Sequence, residues 1–152
     1  MTNAMKRTDP TAQIVRQLVG AGTGTLLPVR LEKQALVFTL GTGNGSLFSW
    51  KNPEGVSVMA SIILDITTAG TGTAGVDIGV GTLAGSSDTM LDGGRVDAIA
   101  IVSNFGTGGG TNAKTWRKLT SGGTLDYITG KLVSDLDSTA AGQAYIIYIP
   151  IS

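Results

Sequence analysis

The sequence predicts an all-β domain, an antiparallel β-sandwich of about eight strands carrying a short N-terminal arm. Three observations carry this. Val56–Thr67 alternates almost without fault: Val56, Val58, Ala60, Ile62, Leu64 and Ile66 fall on one face, and Ser57, Met59, Ser61, Ile63, Asp65 and Thr67 on the other. A period of two over that length is a strand with one face buried. Glycine, 23 of 152 residues, punctuates short apolar runs without a collagen-like repeat. Beyond residue 20 no segment shows helical spacing.

Residues 1–8 read as a loose tail. Asp9-Pro10 is a helix start, with an N-cap side chain and proline at the first helical position. Ile14, Val15 and Leu18 then stand at helical spacing, so a short helix over residues 10–19 is expected, followed by the Gly/Thr linker GAGTGT. Residues 1–28 are thus an arm and 29–152 the sandwich domain. The arm reads either as a disordered leader or as a tether that orders on a partner.

Strands begin near Val29 and Leu31, which alternate with Arg30 and Glu32; Leu36, Phe38 and Leu40 follow at the same spacing. Asn44-Gly45 is a hairpin signal. Phe48 and Trp50 make a short strand, Asn52-Pro53-Glu54-Gly55 a turn. After the long strand a Gly/Thr turn (Ala69 to Ala74) leads to Val76, Ile78 and Val80, alternating with Asp77 and Gly79, so the two runs read as an antiparallel hairpin. Residues 86–94 read as a polar loop around Met90-Leu91. Residues 96–102 (VDAIAIV) and 144–151 (AYIIYIPI) are apolar on both faces, as in strands central to a sandwich or buried at a subunit contact. Phe105 to Asn112 and Ser134 to Gly142 read as loops. Trp116 among Lys114, Arg117 and Lys118 marks one strand, Leu125, Tyr127 and Ile128 another. Short strands at this spacing point to a sandwich of jelly-roll type.

Composition narrows function. Lys plus Arg equals Asp plus Glu at 11 each, so no net field draws in nucleic acid. Only 14% of residues are charged, 41% are apolar and mean hydropathy is +0.23, which implies surface covered by an oligomer or partner. Cysteine and histidine are both absent, removing the thiolate nucleophile, the commonest general base and the commonest transition-metal ligands. No signal peptide and no apolar run near the ~20 residues of a membrane span is evident, so synthesis in a cytoplasm without membrane insertion is expected.

Candidate motifs are weak. Gly70 to Gly75 matches G-x-G-x-x-G after a strand, but a second strand, not a helix, follows, so no aligned amides would meet a pyrophosphate. Asp88, Asp92 and Asp97, and Asp135 and Asp137, lack the order of a calcium loop and read as solvated loop acids; as a glycosidase pair they lack an aromatic platform. Lys114, Trp116, Arg117 and Lys118 mix basic and aromatic character as single-strand binders do, though one such segment in a neutral chain reads more simply as a strand with its Trp buried and its charges in water, or equally as a patch that faces a partner. No catalytic, cofactor or metal residue is assigned, and an enzyme is not expected. Tyr145, Ile147, Ile149 and Ile151 form a stripe opposite Ala144, Ile146 and Tyr148, which reads as an interface behind a core face.

Several stretches resemble small tailed-phage virion proteins: FSWKNPEG (Phe48 to Gly55), LDITT (Leu64 to Thr68), VDIGVG (Val76 to Gly81), DTMLDG (Asp88 to Gly93), GTNAK (Gly110 to Lys114), DYITG (Asp126 to Gly130) and the Tyr/Ile-rich closing strand. The similarity covers about residues 45–150 and rests on turn and strand signatures. It implies a jelly-roll capsid decoration (cement) or head-fibre protein. The expected role is a trimer on the outer capsid surface of a phage head, bound to the major capsid protein and present in the host cytoplasm during assembly. The arm, through Ile14, Val15, Leu18, Leu26 and Leu27, is expected to contact the capsid. Tyr145, Ile147, Ile149 and Ile151 are expected at the trimer interface. The alternative is a head-fibre or tail-tip protein that binds a host receptor or glycan through Phe105–Asn112 and Ser134–Gly142. Nucleic acid and membrane are not expected as partners.

Overall fold

The computed structural model describes residues 28–38, 43, 45–71, 75–83, 88–105, 115–133 and 139–151. Nine strands occur among them, and no helix: β1 Arg30–Ala35, β2 Phe48–Lys51, β3 Val58–Thr68, β4 Gly75–Gly81, β5 Leu91–Arg95, β6 Ala100–Ser103, β7 Arg117–Leu119, β8 Tyr127–Leu132 and β9 Ala141–Pro150. They form two antiparallel sheets packed face to face as a β-sandwich. The first, sheet A, has the order β1-β9-β3-β6, with β7 also on β3; the second, sheet B, has the order β2-β8-β4-β5. The expected arm and its helix over residues 10–19 fall outside the described residues.

The period-two pattern places the core. Val58, Ala60, Ile62, Leu64 and Ile66 of β3 are fully buried, and Val76, Ile78 and Val80 of β4 face them from sheet B. Ala144, Ile146 and Tyr148 of β9 complete the wall beside β3, while Phe48, Trp50, Ile128 and Leu132 complete sheet B. Burying these side chains is the main stabilising term, at about 1.5–3 kcal/mol for each large one.

Strand pairing departs from what local sequence predicts. β3 and β4 are not a hairpin: β3 lies in sheet A and β4 in sheet B. Nor do β1 and β2 pair with each other, since β1 pairs with β9 and β2 with β8; between them the Val37 N–H donates to Leu47 O at 2.8 Å. The alternation names the face each strand buries, and two strands that bury the same parity satisfy it equally well as opposed walls of a sandwich. Among consecutive strands only β4 and β5 pair with each other. The pairs β1–β9, β2–β8, β3 with β6 and β7, and β4–β5 are therefore nested, as in one long antiparallel ribbon folded over itself.

Two segments change character. Residues 91–95 (LDGGR), expected in a polar loop, are strand β5, with Met90 and Leu91 fully buried. The strand is disguised by a bulge: Asp92 and Gly93 stand against the single residue Asp77 of β4. Gly93 takes φ +68°, which an L side chain resists, and its N–H donates to Asp77 Oδ1 at 2.8 Å. Residues 96–102, expected to be a strand central in the sandwich or buried at a subunit contact, divide into a turn and the edge strand β6. Val96 is buried, but Ile99 and Ile101 are exposed.

Candidate interaction surfaces

The two lateral edges of the sandwich differ. At one, β1 and β2 are the neighbouring edge strands, and β1 inverts the expected polarity. Glu32 aligns with Ile146 and so faces inward, whereas Leu31 aligns with Ile147 and faces out. Glu32 Oε2 accepts from Trp50 Nε1 at 2.6 Å, and Oε1 accepts from Tyr148 Oη at 2.9 Å. The Trp50 and Tyr148 rings lie 5.1 Å apart, tilted by 53°. Arg30 pairs with Glu54 at 2.5 Å across the same edge. One carboxylate thus ties β1, β2 and β9 together and closes this side; an inward charge on an edge strand also discourages stray pairing. Burial raises the Tyr148 pKa above its ordinary value, and the charge of Glu32 adds to that.

The other edge is open. Here β5 of sheet B and β6 of sheet A flank a groove of about 810 Å³. Asp92, Arg95, Asp97 and Ser103 supply its polar lining, with Gly94 and Phe105 among its apolar members. Arg95 donates to both carboxylate oxygens of Asp97, which holds the Asp97 carboxyl below the usual range. β6 and β7 share one edge of β3 with a gap between them. Asn104 fills the gap: its Oδ1 accepts from the Ile62 N–H at 3.1 Å and lies 2.7 Å from Ser61 Oγ, and its Nδ2 donates to Thr115 O at 2.8 Å. Next to this staple Phe105 meets Trp116 edge to face, with ring centroids 6.1 Å apart.

The outer faces of the sheets contrast. Sheet B presents Ser49 and Lys51 on β2, Lys131 on β8 and Asp77 on β4, with Thr129 of β8 buried among them. Lys131 and Asp77 pair at 3.8 Å, and Lys51 sits 5.6 Å from the Tyr127 ring centroid. Sheet A is the more apolar of the two. Register aligns Leu31, Ile147 and Ser61 in one row, Lys33, Tyr145, Ile63 and Ser103 in the next, and Ile149 with Met59 and Lys118 at one end. A further row carries Ala35, Gln143, Asp65 and Ile101. Leu31 and Ile101, on opposite margins, are 62% and 65% exposed. Just beyond β6 the edge carries Ile99, 72% exposed, and Phe105, 40% exposed.

Of the residues expected at a subunit interface, Tyr145, Ile147 and Ile149 lie together on this outer face, half-buried within the chain. Ile151 follows β9, also half-buried, and its N–H donates to Ser57 O at 2.8 Å. Ile14, Val15, Leu18, Leu26 and Leu27 are outside the described residues. Sequence alone missed Leu31, Met59, Ile63 and Ile101 as members of the patch, because only pairing register brings them beside β9.

The remaining candidate motifs gain little. Gly75, the last glycine of the G-x-G-x-x-G match, begins β4, so a strand follows it. Among the described residues no group of three acidic side chains is placed to hold a metal ion, and no helix is long and apolar enough to cross a membrane. Trp116 precedes β7 and is half-buried; the inward residue of that strand is Leu119. Asp135 and Asp137 are outside the described residues. Comparison with protein-family models, with characterised proteins and with solved structures finds no match to this chain.

Proposed function

We propose that this chain is a non-enzymatic structural protein of a tailed-phage virion. In this reading it is a capsid decoration protein that binds the outer surface of the head as a homotrimer and stabilises it. The observation that carries the reading is the contrast between the two outer faces of the sandwich. A rigid body with one wall more apolar than the other suits a part clamped against other proteins on one side and exposed to water on the other. Nested strand pairing supports the jelly-roll form expected from the resemblance over residues 45–150. The major capsid protein would be gripped by the arm. Three such weak attachments per trimer raise overall affinity through effective concentration, without a strong single contact, and resist internal pressure by linking neighbouring capsomers.

The groove between β5 and β6 favours one second reading, a head-fibre or tail-tip protein that takes a host receptor or glycan. It sets Asp92, Arg95 and Ser103 beside the aromatic ring of Phe105, a combination that can hydrogen-bond a sugar and stack on it. Immunogold labelling of purified virions with antibody to this chain separates the two. Label spread over the head supports decoration, label at one vertex or at the tail supports receptor binding, and unlabelled particles overturn both.

A further inference from the structure

We infer that the apolar outer face of sheet A and the uncharged β6 edge are the two halves of one heterologous self-interface, so that the face of each copy receives the edge of the next. This deepens the proposed function by naming the trimer contact, and it rests on that reading for the expected number of copies.

The partner is a second copy of this chain, and the size and make-up of the face are the first reason. Sheet A is about 19 Å wide across four strands, and β9, with its ten residues, is about 34 Å long. With six residues in β1, eleven in β3 and seven in β6 and β7 together, the face covers on the order of 550 Å², below the roughly 800 Å² per partner of a standard interface and in the range of the smaller ones. Its central rows hold Leu31, Ile147, Tyr145 and Ile63, while charged side chains stand in the marginal strands or end rows, as Lys33, Lys118 and Asp65 do. An apolar centre with a polar rim is the usual anatomy of an interface.

The edge supplies the second reason. Edge strands are ordinarily guarded by charge, bulges or shortness. β1 carries Arg30, Glu32 and Lys33, β2 carries Lys51, and β5 is bulged and carries Asp92 and Arg95. β6, Ala-Ile-Val-Ser, has no charge, and Ile99 and Phe105 at its ends leave hydrocarbon in water. Packing face on face about a twofold axis would cover Tyr145 and Ile147 yet leave Ile99 and Phe105 exposed. Packing face on edge covers both, and because the two patches differ the contact is heterologous, which gives a ring where its rotation closes and never a twofold pair.

The test is solution mass by light scattering of the full chain, two variants and their mixture. Ile147→Lys spoils the face and keeps the edge; the double variant Ile99→Asp, Ile101→Asp spoils the edge and keeps most of the face. We expect a trimer for the parent and a threefold fall in mass for each variant alone. Mixed one to one, they form a dimer of twice the monomer mass, because one intact face meets one intact edge. That complementation also shows that both variants remain folded. A parent dimer or monomer overturns the inference. So does an edge variant that keeps the parent mass, or a mixture that stays monomeric. Because no capsid is present, these outcomes stand apart from the virion labelling: a chain that decorates heads as a monomer fails here and passes there.

Discussion

Replacing Gly142 by alanine is the sharpest probe of the sheet A register. Gly142 aligns with Ile66 where β9 crosses β3, next to the irregularity between Ile66 and Thr68. A Cβ built there would lie 2.5 Å from the carbonyl oxygen of Asp65 and 3.2 Å from the Ile66 Cα. Both obstacles are backbone, so no rotamer change relieves the overlap, and the two central strands must part by several tenths of an ångström. Overpacking of this sort costs about 1–3 kcal/mol, and a weakened ladder hydrogen bond adds about 1 kcal/mol. The lower entropy of an unfolded alanine offsets about 0.4–1 kcal/mol. The net expectation is a loss of about 2–3 kcal/mol, out of the 5–15 kcal/mol typical of a whole domain. Gly55 supplies the control. It lies in the turn before β3 with nothing within 4 Å of an added Cβ, so Gly55→Ala should be neutral or slightly stabilising. Urea midpoints at constant m-value measure both, and the expected melting-temperature fall for Gly142→Ala is about 6–9 °C, at about 3 °C per kcal/mol. If Gly142→Ala proved as stable as Gly55→Ala, the pairing of Gly142 with Ile66 in the β3–β9 ladder would be wrong.

Three further outcomes follow from named contacts. Glu32→Ala leaves the Trp50 indole N–H and the Tyr148 hydroxyl without their acceptor, so stability should fall by about 2–4 kcal/mol with a red shift of tryptophan emission; an unchanged urea midpoint would remove Glu32 as the closure of that edge. Asn104→Ala strips the Ile62 N–H of its acceptor and Thr115 O of one donor, while Ser61 Oγ keeps Thr115 O, and should cost about 1–3 kcal/mol; Asn104→Asp, which loses the Nδ2 donor and buries a carboxylate against Thr115 O, should cost at least as much, and hydrogen exchange at the Ile62 amide reports both. Because the pKa of Tyr148 is raised in the folded chain, the fold keeps a proton that the unfolded chain releases. Its contribution is therefore complete below the ordinary tyrosine value of about 10 and is lost as pH rises through the folded value. Alkaline unfolding should flatten in Tyr148→Phe, and an identical pH slope in that variant would contradict the assignment.

Part of the apolar outer face of sheet A was legible in the letters. The stripe of Tyr145, Ile147 and Ile149 is visible because β9 alternates two apolar faces, and a strand of that kind needs cover on both sides. Ile101 was legible as apolar, but its strand could be central in the sandwich or at a subunit contact, since nothing local distinguishes a strand flanked twice from one at the edge. Leu31 was expected to alternate in the ordinary sense; it faces out because its neighbours Arg30 and Glu32 find an ion pair and two donors at the closed edge, which is information held by β2, β9 and the Asn52–Gly55 turn. β5 was hidden by its own bulge, whose glycines read as loop.

The sequence by itself determined the fold class, the buried parity of the long central strands and the Asn52–Gly55 turn between β2 and β3, because these depend on side-chain alternation and on local backbone preference. Tertiary structure alone decided which strands are neighbours and which edge stays open. Backbone hydrogen bonds are alike at every residue and cannot select a partner. That choice falls to packing between the two inner walls, which sends β3 and β4 to opposite sheets, folds the ribbon over itself and gathers residues from β1, β3, β6 and β9 onto one outer face.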